Sequence, residues 1–514
     1  MKTTKERFSQ NTENKIILAI LGLIFLGLQG CVYGVVQDAT TGSGVPETNV
    51  MAYASCSGDG CASHTVGPWV ITTTSSSGTY IYDAYGYSVD PSEAMFIYPR
   101  TGQEAILLYL SKPGYRSQLL WHKPDYQSYT TGSTTYNYTV VQSVHLCAIG
   151  ATDTDGDGIC DQAEARYGTD PNNTDTDEDN LSDAAELFGF DGLDLQFYGA
   201  DPLHKDIFLE VDYYPGLKPS DTAIDMVVEA FAEAPVSNPD GEAGINLHAV
   251  IDDQIAAADV DNDLNPAWDD FDVIKADYFD SRRDRAFHYV LFANQYNSGG
   301  SSGLSRGIPA HDFIVTLGNW STPGGTVQQQ AGTLMHELGH NLGLRHGGNE
   351  NANYKPNYLS IMSYLYQLGG LTVDATTGVV DYSRLEIESV NENSVRETTA
   401  FDPVIGSSTT EADLARFGVR IRTCSSGRVW LTGNASVNLD FDRDGVIENA
   451  LRTVDLNGDC DTTDTFADAI NDWDNLVLDG GGAIGDSALG EEKGIFKLRV
   501  APEEMEPCAT EDDA

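Results

Sequence analysis

Basic residues are scarce in this sequence. Its 514 residues include 29 Lys and Arg against 78 Asp and Glu, so the formal net charge is −49 at pH 7. Proteins that bind nucleic acids need basic surfaces, and this balance therefore argues against that function. The excess of acidic residues instead favours a soluble extracellular protein, a calcium-binding protein or a salt-adapted protein.

Long apolar runs are also scarce. Residues 16–28 form an uncharged apolar run that follows four basic residues. The run is shorter than the roughly 20 residues of a membrane-spanning helix, but it has the length of a signal-peptide core. It leads into the sequence LQGC, residues 28–31, which resembles a bacterial lipobox. The resemblance implies a signal over residues 1–31, a lipid anchor on Cys31 and a location in the bacterial cell envelope, at the outer membrane or cell surface. An uncleaved membrane anchor and ordinary secretion remain alternatives.

Cysteine is rare as well, with eight residues in the chain. If Cys31 is lipidated, seven remain, and an exported protein can join them in disulfides. No Cys/His signature of a cysteine nucleophile accompanies them, which argues against that class of enzyme. Sequence alone does not determine the connectivity. Proximity favours the pairs Cys56–Cys61, Cys147–Cys160 and Cys424–Cys460, with Cys508 left over.

Histidine is unevenly distributed, because three of the 10 histidines fall within residues 333–348. The pattern HExxHxxGxxH there consists of His336, Glu337, His340, Gly343 and His346. The residues from about position 326 include helix formers and no proline, so we expect a helix on which His336 and His340 share one face. Two such imidazoles can bind one zinc ion, and Glu337 can act on a zinc-bound water. Gly343 suits a turn with positive φ that ends the helix and brings His346 round as the third ligand. Three protein ligands leave the fourth position open, as in catalytic zinc sites.

A methionine follows this pattern in the segment NYLSIMSYLYQ, residues 357–367. HExxHxxGxxH followed by a methionine turn resembles the metzincin clan of zinc endopeptidases. The resemblance implies one catalytic zinc ion with Met362 as a hydrophobic floor beneath it. It also implies that Tyr364 ligates zinc or stabilises the transition state. The implied reaction is hydrolysis of peptide bonds in extracellular proteins, with Glu337 as the general base that passes a proton from zinc-bound water to the leaving amine.

Two other functions stay open at this point. The chain could be a calcium-dependent surface adhesion or binding module with a vestigial zinc site, or a zinc hydrolase that acts on bonds other than peptide bonds. The intact motif and Met362 favour the endopeptidase. Activity on a protein substrate separates it from both alternatives.

Residues 149–192 contain a second pattern, in which acidic residues recur at the ligand positions of an EF-hand-type calcium loop. The first loop consists of Asp153, Asp155, Asp157, Ile159, Asp161 and Glu164. The second loop starts 22 residues later (175 − 153) and consists of Asp175, Asp177, Asp179, Asp183 and Glu186. Alternate carboxylates can converge on one calcium ion, which the last glutamate closes. The pair resembles thrombospondin type 3 or dockerin-like calcium repeats, which implies two or more structural calcium ions in a linker that calcium stiffens.

The segment patterns predict a multidomain chain. Residues 32–148 alternate between apolar and polar positions with little helical periodicity, and they resemble a carboxypeptidase-regulatory-like all-β sandwich. Residues 200–395 alternate strands and helices, which favours a mixed or parallel sheet flanked by helices. There the resemblance implies the α/β (α+β) metzincin catalytic domain, with a mixed five-stranded sheet and the zinc helix.

Two parts of the chain are harder to interpret from sequence. The stretch 297–307 is rich in glycine and serine, so we predict a flexible loop at the border of the cleft. Residues 396–514 form a C-terminal region for which we expect strands and further calcium-binding loops, at 440–448 and 455–461. This region either continues the protease cleft or forms a separate β-module.

Overall fold

The structure, a computed structural model, describes residues 30–54, 66–83, 105–123, 127–131, 134–141, 143–190, 192–424 and 426–485. The predicted signal segment before residue 30, the Cys56–Cys61 pair and Cys508 lie outside the described residues. The chain divides into two compact units. The first contains the described residues up to Thr176 together with Leu181–Leu203, and the second contains Asp177–Asn180 and His204–Gly485. In this described part of the chain, no helix is both long enough and apolar enough to cross a membrane.

The first unit begins with an all-β region, as predicted. Its strands are β1 Gly30–Asp38, β2 Asn49–Ala54, β3 Val66–Thr73, β4 Thr79–Asp83, β5 Ile106–Ser111, β6 Gln118–His122, β7 Gln127–Thr131, β8 Thr134–Val140 and β9 Val144–Leu146. One sheet has the order β4-β1-β8-β7 with β9 paired to β1, and the other has the order β3-β2-β5-β6. Val36 of β1 and Leu108 of β5 belong to one buried cluster, so the two sheets share a core.

The acidic repeat contributes helices to this same core. Three short helices follow the strands: α1 Asp161–Tyr167, α2 Asp183–Phe188 and α3 Leu195–Tyr198. Ala163 of α1 and Leu187 of α2 pack in the cluster that the β-sheets form. A disulfide joins Cys147, just after β9, to Cys160 at the start of α1, which confirms that predicted pair. The repeat is therefore fastened to the β-region by both apolar burial and a covalent bond.

A mixed five-stranded sheet forms the centre of the second unit, as predicted. Its strands are β10 Asp206–Tyr213, β11 Asn246–Gln254, β12 Phe287–Phe292, β13 Gly303–Ser305 and β14 Asp312–Val315. Their order is β11-β10-β12-β14-β13. Four strands are parallel, and β13 runs antiparallel to β14 at the edge. The central strands are buried along almost their whole length, which explains their continuous apolar sequences.

Three helices accompany this sheet: α4 Asp221–Ala232, α5 Ala267–Tyr278 and α6 Val327–Asn341. The longest, α6, carries the first two histidines of the motif and packs against α4, β13 and β14. Thr326 caps α6 in a reciprocal arrangement with Gln329, since each side chain accepts from the backbone N–H of the other residue. The helix thus begins where the sequence predicted.

The chain after α6 forms short paired strands. The strands are β15 Leu371–Val373, β16 Thr376–Val379, β17 Val390–Asn391, β18 Gly418–Thr423, β19 Gly427–Asn434 and β20 Thr465–Phe466, and they form the pairs β15-β16, β17-β20 and β18-β19. One short helix, α7 Glu411–Leu414, precedes β18. The disulfide Cys424–Cys460 confirms another predicted pair. Phe417, Ile421 and Trp473 lie in the same buried cluster as Leu338 of α6. Residues up to 485 are therefore packed into one unit with the central sheet.

Candidate metal centre

The end of α6 determines where the third histidine lies. The helix ends at Asn341, and Gly343 has a φ of +91°, the left-handed value that the sequence predicted for it. A side chain at Gly343 would also approach Val477 Cγ2 to 3.1 Å. This turn reverses the chain after the helix. It brings His346 to within 4.9 Å of His340, measured between ring centroids.

His336, His340 and His346 form a buried cluster whose potential ligand atoms lie within 4.8 Å of one another. His336 Nδ1 donates a 3.0 Å hydrogen bond to the carbonyl of Ile361, and His340 Nδ1 donates a 2.8 Å bond to the carbonyl of Leu344. Those bonds leave Nε2 as the lone-pair atom in each ring. All three Nε2 atoms are buried, and no described residue forms a hydrogen bond with them. Three buried imidazoles whose ligand atoms lie this close together fit a zinc ion.

Burial keeps these imidazoles neutral. Desolvation lowers the pKa of His340 to about 4 and places the pKa of His336 and His346 well below the ordinary value. The neighbouring imidazoles act in the same direction on His336 and His346. Neutral rings are the form in which histidine binds metals.

Glu337 lies between the helix and the edge strand. Its side chain is fully buried, and a Cβ added at Gly303 of β13 would come within 2.6 Å of Glu337 Oε1. The prediction of a flexible loop over 297–307 is thus wrong at Gly303–Ser305, because pairing with β14 and packing against α6 order these residues. Ser305 also donates a 2.6 Å hydrogen bond to Asn341, the last residue of α6. The backbone of the edge strand therefore runs beside the glutamate.

Met362 packs against the histidine-bearing helix, and Tyr364 packs against the histidines themselves. Met362 is fully buried beneath α6, where a Cβ at Gly339 would overlap its Sδ atom. The ring of Tyr364 lies 4.6 Å from that of His346 and 5.7 Å from that of His336, measured between centroids. The structure thus brings together the five motif residues and both downstream residues that the sequence singled out.

The sequence did not reveal the residues that hold the methionine turn. Asp472 is fully buried and accepts hydrogen bonds from Tyr358 Oη at 2.8 Å, Ser360 Oγ at 2.6 Å and the backbone N–H of Ser383 at 2.8 Å. The fully buried Lys355 donates to the carbonyls of Gly347 and Asp468 and pairs with Glu350. A buried charge needs such partners, but sequence alone does not show which polar residues are buried.

In the first acidic loop, carboxylate oxygens of Asp153, Asp155 and Asp157 lie within 4.8 Å of one another. Glu164 is fully buried, and neither of its oxygens forms a hydrogen bond with a described residue. Burial, reinforced by neighbouring carboxylates, raises the pKa of Glu164 to about 8 and that of Asp157 to about 7. Such a concentration of buried carboxylates fits a divalent cation with oxygen ligands.

The remaining positions of the first loop shape and anchor it. Both oxygens of Asp161 accept hydrogen bonds at 3.0 Å from Thr154, one from its backbone N–H and one from its hydroxyl. Ile159, the predicted backbone ligand, donates its own N–H to Asp157 at 2.7 Å. Arg116 pairs with Asp153 at 3.0 Å, which ties the loop to the β-region.

The second acidic loop repeats this arrangement. Asp175, Asp177 and Asp179 have carboxylate oxygens within 4.8 Å of one another. Asp183 accepts two bonds from Thr176, just as Asp161 does from Thr154. Glu186 is fully buried in α2. Asn180, at the position where this loop type favours glycine, has a φ of +84°.

Three further predicted positions lie elsewhere in the chain. Cys31 is part of β1, where its backbone is paired with Asp83 and Tyr138. Carboxylate oxygens of Asp461 and Asp464, in the C-terminal region, and of Glu392, just before it, lie within 4.8 Å of one another. In the acidic stretch 440–448, the backbone N–H groups of Asp442 and Glu448 donate hydrogen bonds to the carboxylate of Glu397.

Comparison with known proteins identifies one segment. Residues 153–174 match the model of the bacterial TSP3 repeat, which agrees with the predicted calcium-binding repeat. No curated protein matches the chain.

Solved structures provide only distant similarities. The catechol 1,2-dioxygenase of Acinetobacter radioresistens is 14% identical over 23% of this chain and 52% of its own, with a TM-score of 0.16. The hydroxyquinol 1,2-dioxygenase of Pseudomonas putida DLL-E4 is 12% identical over 24% of this chain and 57% of its own, also with a TM-score of 0.16. These matches span about half of each dioxygenase, and similarities this low carry no argument about fold or function.

Proposed function

We propose that this chain is a zinc-dependent endopeptidase of the metzincin type that hydrolyses peptide bonds of extracellular proteins. The observation that carries the proposal is the buried cluster of His336, His340 and His346, whose Nε2 atoms have no hydrogen-bond partner among the described residues, beside the carboxylate-bearing Glu337. When bound there, zinc supplies a Lewis acid that polarises a carbonyl and lowers the pKa of a water ligand.

The residues of the chain would divide the remaining work. The bonds of His336 and His340 to backbone carbonyls hold the two rings with their lone pairs facing inward. Glu337 would take a proton from the attacking water and deliver it to the leaving amine. Tyr364 would donate a hydrogen bond to the oxygen on which negative charge develops. Gly303, which lacks a side chain, lets the edge strand approach Glu337 closely.

The acidic repeat would support the enzyme structurally. We propose that each loop binds a calcium ion, since the buried Glu164 and Glu186 stand at the closing positions of two carboxylate clusters. We further propose that Cys31 carries a lipid anchor, which would hold the enzyme in the bacterial cell envelope. The substrate partner would be a protein or peptide.

The decisive test is casein hydrolysis by the purified chain in calcium, with zinc content measured in parallel. We expect about one zinc per chain and activity that a zinc chelator abolishes. Glu337→Ala should retain zinc and lose activity by orders of magnitude, because only the proton carrier is removed. Glu242→Ala, which changes an exposed glutamate, is the matched control and should match the wild type.

Three results would contradict the proposal. Full activity in Glu337→Ala would exclude its role as general base. A folded protein that does not bind zinc would instead favour the calcium-dependent adhesion or binding module. Zinc binding without hydrolysis of any peptide bond would favour a hydrolase that acts on another bond.

A further inference from the structure

Gln367 lies where three parts of the candidate metal centre meet. Its backbone N–H donates a 3.0 Å hydrogen bond to the carbonyl of Ser363, the residue that follows Met362 in the methionine turn. Its own carbonyl lies against α6, since a Cβ added at Gly332 would overlap that oxygen. Its side-chain Nε2 donates a 3.1 Å hydrogen bond to Oγ of Ser302, just before the edge strand β13. One residue therefore contacts the methionine turn, the histidine-bearing helix and the edge strand.

Two side-chain hydrogen bonds connect the edge strand to elements outside the sheet. Gln367 holds Ser302 at the start of the strand, and Asn341 of α6 accepts the 2.6 Å bond from Ser305 at its end. All four side chains are buried, so water does not compete for these bonds. The backbone N–H of Thr316 also donates to the carbonyl of Ser302 at 2.6 Å, but this bond holds the strand within the sheet. The position of the strand relative to α6 therefore depends on the two side-chain bonds as well as on packing.

Glu337 packs against the strand between these two bonds. Gly303 directly follows Ser302, and a Cβ added at Gly303 would come within 2.6 Å of Oε1 and 2.8 Å of Cγ of Glu337. The backbone of the strand is thus a wall beside the glutamate, and a displaced strand would give that side chain room for other rotamers. A general base must lie within hydrogen-bond reach of the proton that it takes. The position of the strand therefore bears directly on proton transfer by Glu337.

The amide of Gln367 is only partly satisfied by its surroundings. Its Oε1 atom is buried and has no hydrogen-bond partner among the described residues. A buried acceptor without a partner lowers stability, and an apolar side chain of similar shape would avoid that loss. Stability alone therefore does not favour glutamine at this position. Residues that break the rules of a packed core concentrate at functional sites, which agrees with the contact of this side chain to the edge strand.

We propose that Gln367 is a positioning residue for the reaction, which acts through Ser302 and Gly303. It holds the edge strand at the distance from α6 that keeps Glu337 oriented for proton transfer. This inference rests on the proposed endopeptidase function. A displacement of about 1 Å in an active site can lower the rate by roughly 10²-fold. One hydrogen bond can therefore matter to turnover even where it adds little to stability.

Gln367→Met tests this role in the full chain, because methionine keeps the length of the side chain and removes the amide. With a fluorogenic peptide, we expect kcat to fall by roughly ten- to a hundredfold while KM stays near the wild-type value. Zinc content should stay the same. The unfolding midpoint in denaturant should not fall, because the variant also removes the unpaired Oε1 atom. A residue that only stabilised the fold would lower the midpoint together with kcat. Gln254→Met, at an exposed position of β11, is the matched control and should behave as the wild type.

A second variant assigns the effect to one hydrogen bond. Ser302→Ala removes the partner of Gln367 and should lower kcat to a similar extent. The double variant should be no slower than either single variant, because both changes remove the same bond. Losses that multiply in the double variant would overturn a shared action through Ser302.

Amide hydrogen exchange separates this inference from the proposed function. Exchange at Gly303–Ser305 should be faster in Gln367→Met and in Ser302→Ala than in the wild type, with exchange in β10 unchanged. If the wild type cleaves no peptide, the endopeptidase proposal fails, and faster exchange still supports the hold of Gln367 on the edge strand. If the wild type cleaves peptides and Gln367→Met changes neither kcat nor exchange, the positioning role is overturned and the endopeptidase stands. A fall in kcat that comes with lost zinc or a lower midpoint overturns the positioning role as well.

Discussion

His336 and Asp472 bind neighbouring residues of the same turn of the chain. His336 donates to the carbonyl of Ile361, and Asp472 accepts a 2.6 Å hydrogen bond from Ser360, the preceding residue. Ser360 Oγ in turn accepts from the backbone N–H of Met362 at 3.2 Å. A residue 112 positions beyond Ser360 therefore holds the turn that orients a candidate zinc ligand.

Removing the Asp472 carboxylate should loosen both the fold and the metal centre. Asp472→Leu leaves three buried donors without their acceptor, and we expect the free energy of unfolding to fall by about 3 kcal/mol or more at about 1–3 kcal/mol per donor. Zinc affinity should fall too, because the Ile361 carbonyl would be held less firmly. Asp472→Asn keeps an acceptor and should lose less. The exposed neighbour offers the control Asp474→Asn, and equal stability of all three variants in denaturant titrations would refute this role.

Asp472 should also make stability depend on pH. Burial raises the pKa of this carboxyl to about 7 from its ordinary 3.8. The folded chain thus holds the proton more tightly than the unfolded chain, and the stabilisation is fully present below 3.8 and is lost as pH rises through about 7. The loss amounts to at most about 1.4 kcal/mol per pH unit in that window. Denaturant titrations across it should show this slope in the wild type relative to Asp472→Asn, and parallel curves would exclude it.

Glu164 should govern calcium binding by the first acidic loop. Glu164→Gln removes one charge from a buried set of carboxylates, and we expect calcium affinity at one site to fall by roughly tenfold or more, since ligand charge sets affinity. Calorimetric titration of the whole chain measures this change. Glu178→Gln, at an exposed position of the second loop, is the control. Unaltered calcium binding in Glu164→Gln would remove this residue from the site.

Tyr364 should contribute to turnover more than to metal binding. Tyr364→Phe keeps the ring beside His346 and removes only the hydroxyl, so we expect zinc content to stay near that of the wild type. The value of kcat should fall by roughly 10²-fold, as when an oxyanion donor is lost. Peptide cleavage and metal analysis on the same sample check both parts. A drop in zinc content together with activity would instead make Tyr364 a metal ligand.

Local sequence patterns predicted the parts of the site that one stretch of chain builds. The helix α6, its start after Thr326 and the positive φ of Gly343 all follow from hydrogen bonding and steric limits within a few residues. The mixed five-stranded sheet and two disulfides also agree with the sequence-based predictions. The edge strand Gly303–Ser305 escaped detection, because its three residues are ordered by β14 and α6 rather than by their own preferences.

The sequence by itself identified the candidate ligands of this protein: two histidines and a glutamate at helical spacing, a third histidine after a glycine turn, and two acidic loops with regular ligand positions. Their identity and spacing suffice because neighbours along a helix or loop are also neighbours in space. Only the tertiary structure decided that Asp472 supports the methionine turn and that Arg428 adjoins Tyr364. These contacts join residues more than 60 positions apart, and their partners are set by the packing of one shared core rather than by any local pattern.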